Sequence, residues 1–279
     1  MKLIFFGAGY CSKFIIPKLD RRFEIICTHN SNLKSEGFDA NRKIKRLTFH
    51  QFCKRKLFYF KDATHIINSI PPVDGKDIVH DLIKTTNNKL FKNLIWIGYF
   101  SATSVYGDHL GNWVNETSKL KPSTLRGKRR RYVENLFLDL YSKFNFPCHI
   151  FRLPGIYGPG RSAFERLRNG NSIIVKKRNH YFSRIHVEDI ASAVIRSMSK
   201  ITPGEVFNVS DNYPCSSDEV IAYAADLLEN TSVKYVNYDS SDLNERVRDF
   251  YLENKRVSNS KIKEILGWTP KYENYKLGL

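Results

Sequence analysis

The chain lacks most of the devices that staple small or extracellular proteins. Its five cysteines, Cys11, Cys27, Cys53, Cys148 and Cys215, are odd in number, scattered and never arranged as a CxxC pair. That argues against a zinc site or a disulfide framework and for a reducing compartment. Long apolar runs are missing too: the most apolar window, residues 94–100, is far short of the roughly 18–20 residues that span a bilayer. The start imitates a short lipoprotein signal, but the apolar run stops at Phe6 and bulky Tyr10 precedes Cys11, so no leader is expected. A cytoplasmic protein without a membrane segment or a metal site is the expectation. With only 15 Gly and 10 Pro in 279 residues, and no internal repeat, collagen, low complexity and disorder are excluded.

Acid is the other scarcity. Asp and Glu number 28 against 45 Lys and Arg, a formal charge of +17, so phosphates, nucleotides, nucleic acid and membrane surfaces all come into view as partners. The excess is concentrated: residues 42–61 hold eight Lys/Arg and no acid, and residues 121–131 hold six and no acid. Phe49, Phe52, Phe58, Tyr59 and Phe60 intermingle with the first stretch, as in nucleic-acid-binding surfaces. No nucleic-acid-binding motif accompanies them, and charge runs are usually solvated faces. The expected partner is therefore an anionic small molecule, with no membrane and with nucleic acid disfavoured, and the chain a monomer or a homodimer.

Short apolar runs at residues 3–6, 24–27, 65–70, 94–99, 148–152 and 206–209 read as strands, continuous rather than alternating, as in buried parallel sheets. Between them, residues 11–19, 76–85, 123–143 and 187–198 have helical spacing. This rhythm predicts an α/β fold, a doubly wound parallel sheet with helices on both faces. After Tyr157 the rhythm loosens, which suggests a smaller lobe built from separate pieces. The expected organisation is a nucleotide-binding domain over residues 1–157, with 182–210 returning to it, and a substrate-binding lobe from 158–181 and 211–279. Ser216-Ser217-Asp218-Glu219 reads as a capping box opening one helix of that lobe. A last helix near residues 258–266 should stop at Gly267.

Gly7-Ala8-Gly9-Tyr10-Cys11-Ser12 follows the first strand and precedes a helical stretch. Gly7 can make a tight turn, and Gly9 leaves room for a pyrophosphate to approach backbone N–H groups at a helix start. Ser12 stands where a third glycine commonly packs helix against strand. About 20 residues further on, where NAD-binding folds tend to place an acid that holds the ribose, the chain has Thr28-His29-Asn30. With Lys34 and Arg42 beyond, this end would tolerate a 2′-phosphate, which favours NADP over NAD; plain surface polarity is the competing explanation for His29 and Lys34.

The stretch Ser101-Ala102-Thr103-Ser104-Val105-Tyr106-Gly107-Asp108 resembles the extended short-chain dehydrogenase/reductase family of NAD-dependent epimerases and dehydratases. Phe151-Arg152-Leu153-Pro154-Gly155-Ile156-Tyr157-Gly158-Pro159-Gly160-Arg161, Ser183-Arg184-Ile185-His186-Val187-Glu188-Asp189, Pro203-Gly204-Glu205-Val206-Phe207-Asn208-Val209 and Leu266-Gly267-Trp268-Thr269-Pro270 agree with it in order and spacing. The resemblance implies a Rossmann-type domain, a smaller C-terminal substrate lobe and a nicotinamide cofactor. Gly7, Gly9, Tyr10, Cys11, Thr28, Ser69, Ser101 and Pro154 form the expected cofactor-binding set, and Tyr157, Arg161 and Arg184 the expected substrate contacts, although Tyr157 could equally well simply pack.

The resemblance also implies a Ser or Thr three residues before the Val of the VYG motif, and a Tyr-xxx-Lys pair on the next helix. Here Ala102 takes the first place, flanked by Ser101 and Thr103. Aligning Glu134 with the acid that ends the family's helix motif puts Arg126 at the tyrosine and Arg130 at the lysine. Arginine stays protonated and cannot shuttle a proton, but it is a planar donor fork for carboxylate or phosphate. Two arginines one turn apart would make an anion clamp if they faced the cofactor, or plain helix surface if they did not. The candidates for chemistry are therefore Ser101, Thr103, Tyr106, Arg126 and Arg130, with His186 more suited to packing at its helix start. Two readings stand side by side: a reductase, epimerase or dehydratase on a nucleotide sugar or other anionic substrate, and a catalytically silent protein that senses NADP(H) or serves in regulation or assembly.

Overall fold

Seven strands form one sheet: Lys2–Phe6 (β1), Glu24–His29 (β2), Ile44–Thr48 (β3), His65–Asn68 (β4), Trp96–Ala102 (β5), Cys148–Leu153 (β6) and Val206–Asn208 (β7). This is a computed structural model, and it describes residues 1–30, 43–170, 173–229, 233–241, 243 and 245–279. The strand order is β7-β6-β5-β4-β1-β2-β3. The pairs β1–β2, β1–β4, β2–β3 and β4–β5 are parallel. Order 3-2-1-4-5-6 with a seventh strand added is the Rossmann order, whose reversal between β1 and β4 places ligands at the carboxyl ends of those strands. Leu3, Ile4, Phe5, Phe6, Ile66, Ile67 and Ile97 are fully buried, which is why these segments read as unbroken apolar runs. The edge strand β3 is different. It carries Lys45 and Arg46 and is only partly buried, and charge on an edge discourages pairing with another chain.

The helices that matter below are Ser12–Ile15 (α1), Phe49–Lys54 (α2), Lys56–Phe60 (α3), Ile78–Lys84 (α4), Leu125–Phe144 (α5), Ala163–Arg168 (α6), Val187–Ser199 (α7) and Ser217–Leu227 (α8). The helix expected over residues 11–19 is shorter, because α1 passes into a 3-10 turn at Ile16–Lys18. Pro17 lacks the N–H that would continue the α-helical ladder. The chain divides into two compact units. The first is Met1–Ala102, Lys128–Arg152 and Ile190–Phe207; the second is Thr103–Gly127, Leu153–Asp189 and Asn208–Leu279.

The first unit has a continuous apolar core that includes Ile4, Phe6, Phe52, Phe60, Tyr99, Val133, Phe137 and Ile150. Tyr99 stacks on Phe137 with centroids 4.9 Å apart and planes 9° from parallel, so β5 and α5 meet ring on ring. The second unit is built from small pieces. Gly155–Tyr157 pairs in parallel with Arg184–His186, Ile173–Lys176 with Lys234–Asn237, and Trp113–Val114 with Arg256–Val257. Its apolar clusters are correspondingly small, such as Leu167, Ile174, Ile221 and Ala224. The expected capping box is half present: Ser216 accepts from the Glu219 N–H, while the Glu219 carboxylate accepts from the Tyr275 hydroxyl at 3.0 Å. The helix expected near residues 258–266 runs over Ser260–Leu266, and Gly267 ends it in the left-handed conformation at φ 63°; it is not the last, because Tyr275–Gly278 forms one more helical turn capped by Asn274.

Candidate functional site

The glycine turn lies where the sheet order reverses. Gly7 has φ +80°, and a Cβ there would come within 2.8 Å of Ile70 Cγ1, so glycine is required by both conformation and space. Two neighbouring strands pin the turn. The Gly7 N–H donates to Thr28 Oγ1 at 3.3 Å and the Ala8 N–H to the Thr28 carbonyl at 2.8 Å. From the residue just past β4, Ser69 Oγ donates to the Gly7 carbonyl at 2.6 Å. Thr28 and Ser69, both expected to touch a cofactor, thus hold the turn in shape. At Gly9 a Cβ would meet only the Gly7 carbonyl, at 3.7 Å, so the chain itself does not need glycine there. That open space is what a pyrophosphate approaching the backbone requires. Ser12 is buried and donates to the Gly9 carbonyl at 2.6 Å. Cys11 gives α1 no side-chain cap, and its first turn has no acid. Tyr10 packs its ring 5.2 Å from Phe14. His29 sits at the end of β2 with Nδ1 2.8 Å from the Asn30 carbonyl. Lys34 and Arg42 lie outside the described residues.

The positions expected to carry chemistry are largely engaged. Ser101, at the end of β5, is buried and donates to Glu134 Oε1 at 2.6 Å. Glu134 in turn receives the Arg152 guanidinium at both oxygens, Nε at 3.0 Å and Nη2 at 2.7 Å. Arg152 and Glu134 are both buried, an ion pair whose charges each depend on the other. Arg130 is only 8% exposed. Its Nη1 donates to the Phe100 carbonyl in a short hydrogen bond and to the Tyr99 hydroxyl at 3.1 Å. Burial pushes the Tyr99 phenol above its ordinary range against the pull of Arg130, so it stays protonated. Arg126 is exposed; of the two arginines, one faces into the fold and one outward.

Tyr106 is fully buried, its hydroxyl donating to Asn208 Oδ1 at 2.8 Å. Thr103 opens the 3-10 turn Thr103–Val105 and is barely exposed. Gly107 has φ +72°, and a Cβ would sit 2.0 Å from the Lys121 carbonyl, which explains the glycine of the VYG motif without a ligand. At Gly127 the constraint is space alone: a Cβ would sit 2.5 Å from the Ser104 carbonyl oxygen.

Among the expected substrate contacts, Tyr157 is buried against His186 in an edge-on contact at 5.2 Å, and its hydroxyl donates to the Asn274 carbonyl at 3.3 Å. Arg184 braces its own neighbourhood, donating to the carbonyls of Phe182, Cys215 and Ser216 at 3.0–3.1 Å. Arg161 is exposed and closes a tight turn with Gly158. Pro154 is half-buried where β6 passes into Gly155–Tyr157.

Sequence reasoning missed two acids. Asp77 caps α4, accepting from the Val79 and His80 N–H groups, and both its oxygens accept from Asn68 Nδ2. Burial outweighs those bonds and raises its carboxyl. A polar residue before an apolar helical run is a recognised start signal, so Asp77 was findable. Asp211 is buried with only its Oδ1 bonded, to the Tyr213 N–H at 3.1 Å, and burial lifts its carboxyl to about 7. Nothing in its local sequence signals that.

Comparison with known proteins agrees with this layout. A family model described as the NAD dependent epimerase/dehydratase family matches residues 81–210. A functionally unknown conserved protein from Silicibacter pomeroyi DSS is 37% identical, with a TM-score of 0.87 over 99% of this chain and 96% of its own. The dTDP-glucose 4,6-dehydratase of Bacillus anthracis, solved in complex with NAD, shares the fold at a TM-score of 0.79 and 18% identity, covering 100% of this chain and 94% of that one. The dTDP-D-glucose 4,6-dehydratase of Mus musculus is 21% identical over 190 residues, 62% of this chain and 50% of that protein. The chain spans about half the length of the curated relatives it matches.

Proposed function

The chain belongs to the NAD dependent epimerase/dehydratase family, and from that premise we propose that it binds a nicotinamide dinucleotide at the turn of residues 7–11 together with an anionic small molecule of the nucleotide-sugar class. The observation that carries this reading is the turn itself, with Gly7 pinned from β2 by Thr28 and from just past β4 by Ser69 and open space kept at Gly9. In this reading the first unit holds the dinucleotide, and exposed Arg161 of the second unit meets the substrate, since Tyr157 and Arg184 are engaged within the fold. The absence of an acid at Thr28-His29-Asn30 supports NADP over NAD, with His29 as the residue that a 2′-phosphate meets, since Thr28 is spent on Gly7. Five free cysteines support a cytoplasmic home. Among the described residues no helix is long and apolar enough to cross a membrane.

The bound dinucleotide would accept and return hydride. The residues around the family's proton-exchange positions support a catalytically silent, ligand-sensing role: Ser101 is spent on Glu134, Tyr106 on Asn208, and Arg130 on Phe100 and Tyr99. A second reading keeps hydride transfer, and exposed Arg126 favours it. A guanidinium can stabilise a developing alkoxide by donating hydrogen bonds without giving up its proton. Incubation with NAD or NADP and either dTDP-glucose or UDP-glucose, followed by NMR of the sugar, separates the two. Binding without turnover is the expected result. Turnover that disappears in Arg126→Ala would replace the silent reading with the catalytic one, and failure of every nucleotide to bind would end both.

A further inference from the structure

Helices α2 and α3 form a short, firmly anchored corner beside the edge strand. Phe52, Tyr59 and Phe60 are buried, with Phe52 and Tyr59 stacked 5.2 Å apart and Phe60 edge-on to Phe91 at 4.9 Å. The residues pointing the other way are apolar as well: Leu57 is 57% exposed and Phe58 is 56% exposed. Because Tyr59 and Phe60 fix α3 from inside, this exposure belongs to the ordered fold.

The sequence around this pair is basic. Residues 43–61 carry Lys43, Lys45, Arg46, Lys54, Arg55, Lys56 and Lys61 and no acid, Asp62 being the next carboxylate. Lys54 and Arg55 are exposed and Lys56 is half-buried, immediately before the apolar pair. Such a surface repels a second copy of itself. A single-stranded nucleic acid would need a row of aromatic faces on which bases stack. Here Phe58 alone is largely exposed among the corner's aromatics, and the Arg55 guanidinium lies 4.9 Å from its ring. Adjacent aliphatic and aromatic side chains ringed by long cations instead match the interface of an anionic bilayer, where apolar groups enter the acyl boundary and lysine and arginine reach headgroup phosphates.

We infer that Leu57 and Phe58, with the basic residues around them, form a peripheral docking surface for an anionic lipid membrane. The absence of a long apolar segment has no bearing on a contact of this kind, which lies on the bilayer rather than across it. The surface is made by the first unit and is independent of the dinucleotide reading.

The test is co-sedimentation of the full chain with vesicles of phosphatidylcholine alone and with about 30 mol% phosphatidylserine. Binding should require the anionic lipid and weaken as salt is raised. Leu57→Ser/Phe58→Ser and Lys54→Glu/Arg55→Glu should each lower the apparent affinity by about tenfold or more, with thermal unfolding unchanged because all four positions are exposed. No association with phosphatidylserine vesicles would overturn the inference, as would association that both double variants retain. Preference for poly(U) RNA or for a polyglutamate peptide over the vesicles would also overturn it, assigning the surface to another class of partner.

Discussion

Buried polar groups are satisfied to different extents in the two units. In the first, each buried charged group described above is tied: Glu134 to Arg152 and Ser101, Arg130 to Phe100 and Tyr99, Asp77 to Asn68 and two backbone N–H groups. In the second, Asp211 Oδ2, His180 Nδ1, Arg166 Nε and Ser104 Oγ are buried without a hydrogen-bond partner, whereas among the described residues the first unit has only Thr202 Oγ1 in that condition. An unmade bond in a buried setting costs free energy and leaves protonation to be set by burial. The lesson concerns Ser101 and Arg130: both were expected to carry chemistry, and both are hydrogen-bonded within the first unit, Ser101 to Glu134 and Arg130 to Phe100 and Tyr99.

The largest expected effect breaks that network. Arg152→Ala leaves Glu134 as an uncompensated buried carboxylate and should lower unfolding free energy in urea by about 3–5 kcal/mol. If the loss were below about 1 kcal/mol, Glu134 would not depend on Arg152, and the contrast between the units would lose its basis.

Glycines sharpen the same contrast. Gly7→Ala combines φ +80° with a 2.8 Å contact to Ile70, whereas Gly160→Ala combines φ +73° with nothing within 4 Å. The first should cost about 2–3 kcal/mol and the second about 1 kcal/mol by the same measurement; equal costs would mean that Gly7 is demanded by conformation alone.

Asp211 gives the opposite sign. Its carboxyl is raised to about 7 from an ordinary value of 3.8, so between those values the folded chain keeps a proton that the unfolded chain releases. Its contribution is fully present below about pH 4 and is lost as pH rises through 7. Asp211→Asn keeps the acceptor for Tyr213 and should stabilise the fold by about 2 kcal/mol at pH 8 while changing little at pH 4. An Asn variant less stable at pH 8 would show that Asp211 has a partner in solution.

Arg126→Ala is the mildest change, expected within about 0.5 kcal/mol of the parent because the residue is exposed. It should weaken binding of UDP-glucose in a thermal-shift titration while sparing the dinucleotide. Unaltered UDP-glucose affinity would remove Arg126 from the anion-binding account.

The parts of the fold that are fully buried are those legible in the sequence. Continuous apolar runs mark β1, β2, β4, β5, β6 and β7 to within a few residues, because a strand covered on both faces has no polar alternation to obscure it. β3 is missed for the complementary reason: Lys45 and Arg46 on a partly buried edge read as part of a basic stretch. The short strands of the second unit, two to four residues each, carry too little pattern to be seen. At the candidate site, Gly7 was legible because a positive φ leaves few choices. The inward turn of Thr28 and Ser69 was not, since nothing in a serine or threonine says whether its hydroxyl faces a ligand or a neighbouring carbonyl. Likewise, spacing placed Arg126 and Arg130 one turn apart but could not show that Arg130 finds a carbonyl at the end of β5.

The central proposal is that the turn of residues 7–11 holds a dinucleotide although Ser101 and Arg130 are hydrogen-bonded within the fold. Calorimetric titration of the chain and of Gly9→Leu with NAD, NADH, NADP and NADPH tests it most directly. Saturable binding at one site per chain, abolished in Gly9→Leu without loss of thermal stability, is the expected result; no heat of binding with any of the four, or undiminished binding to Gly9→Leu, would contradict it.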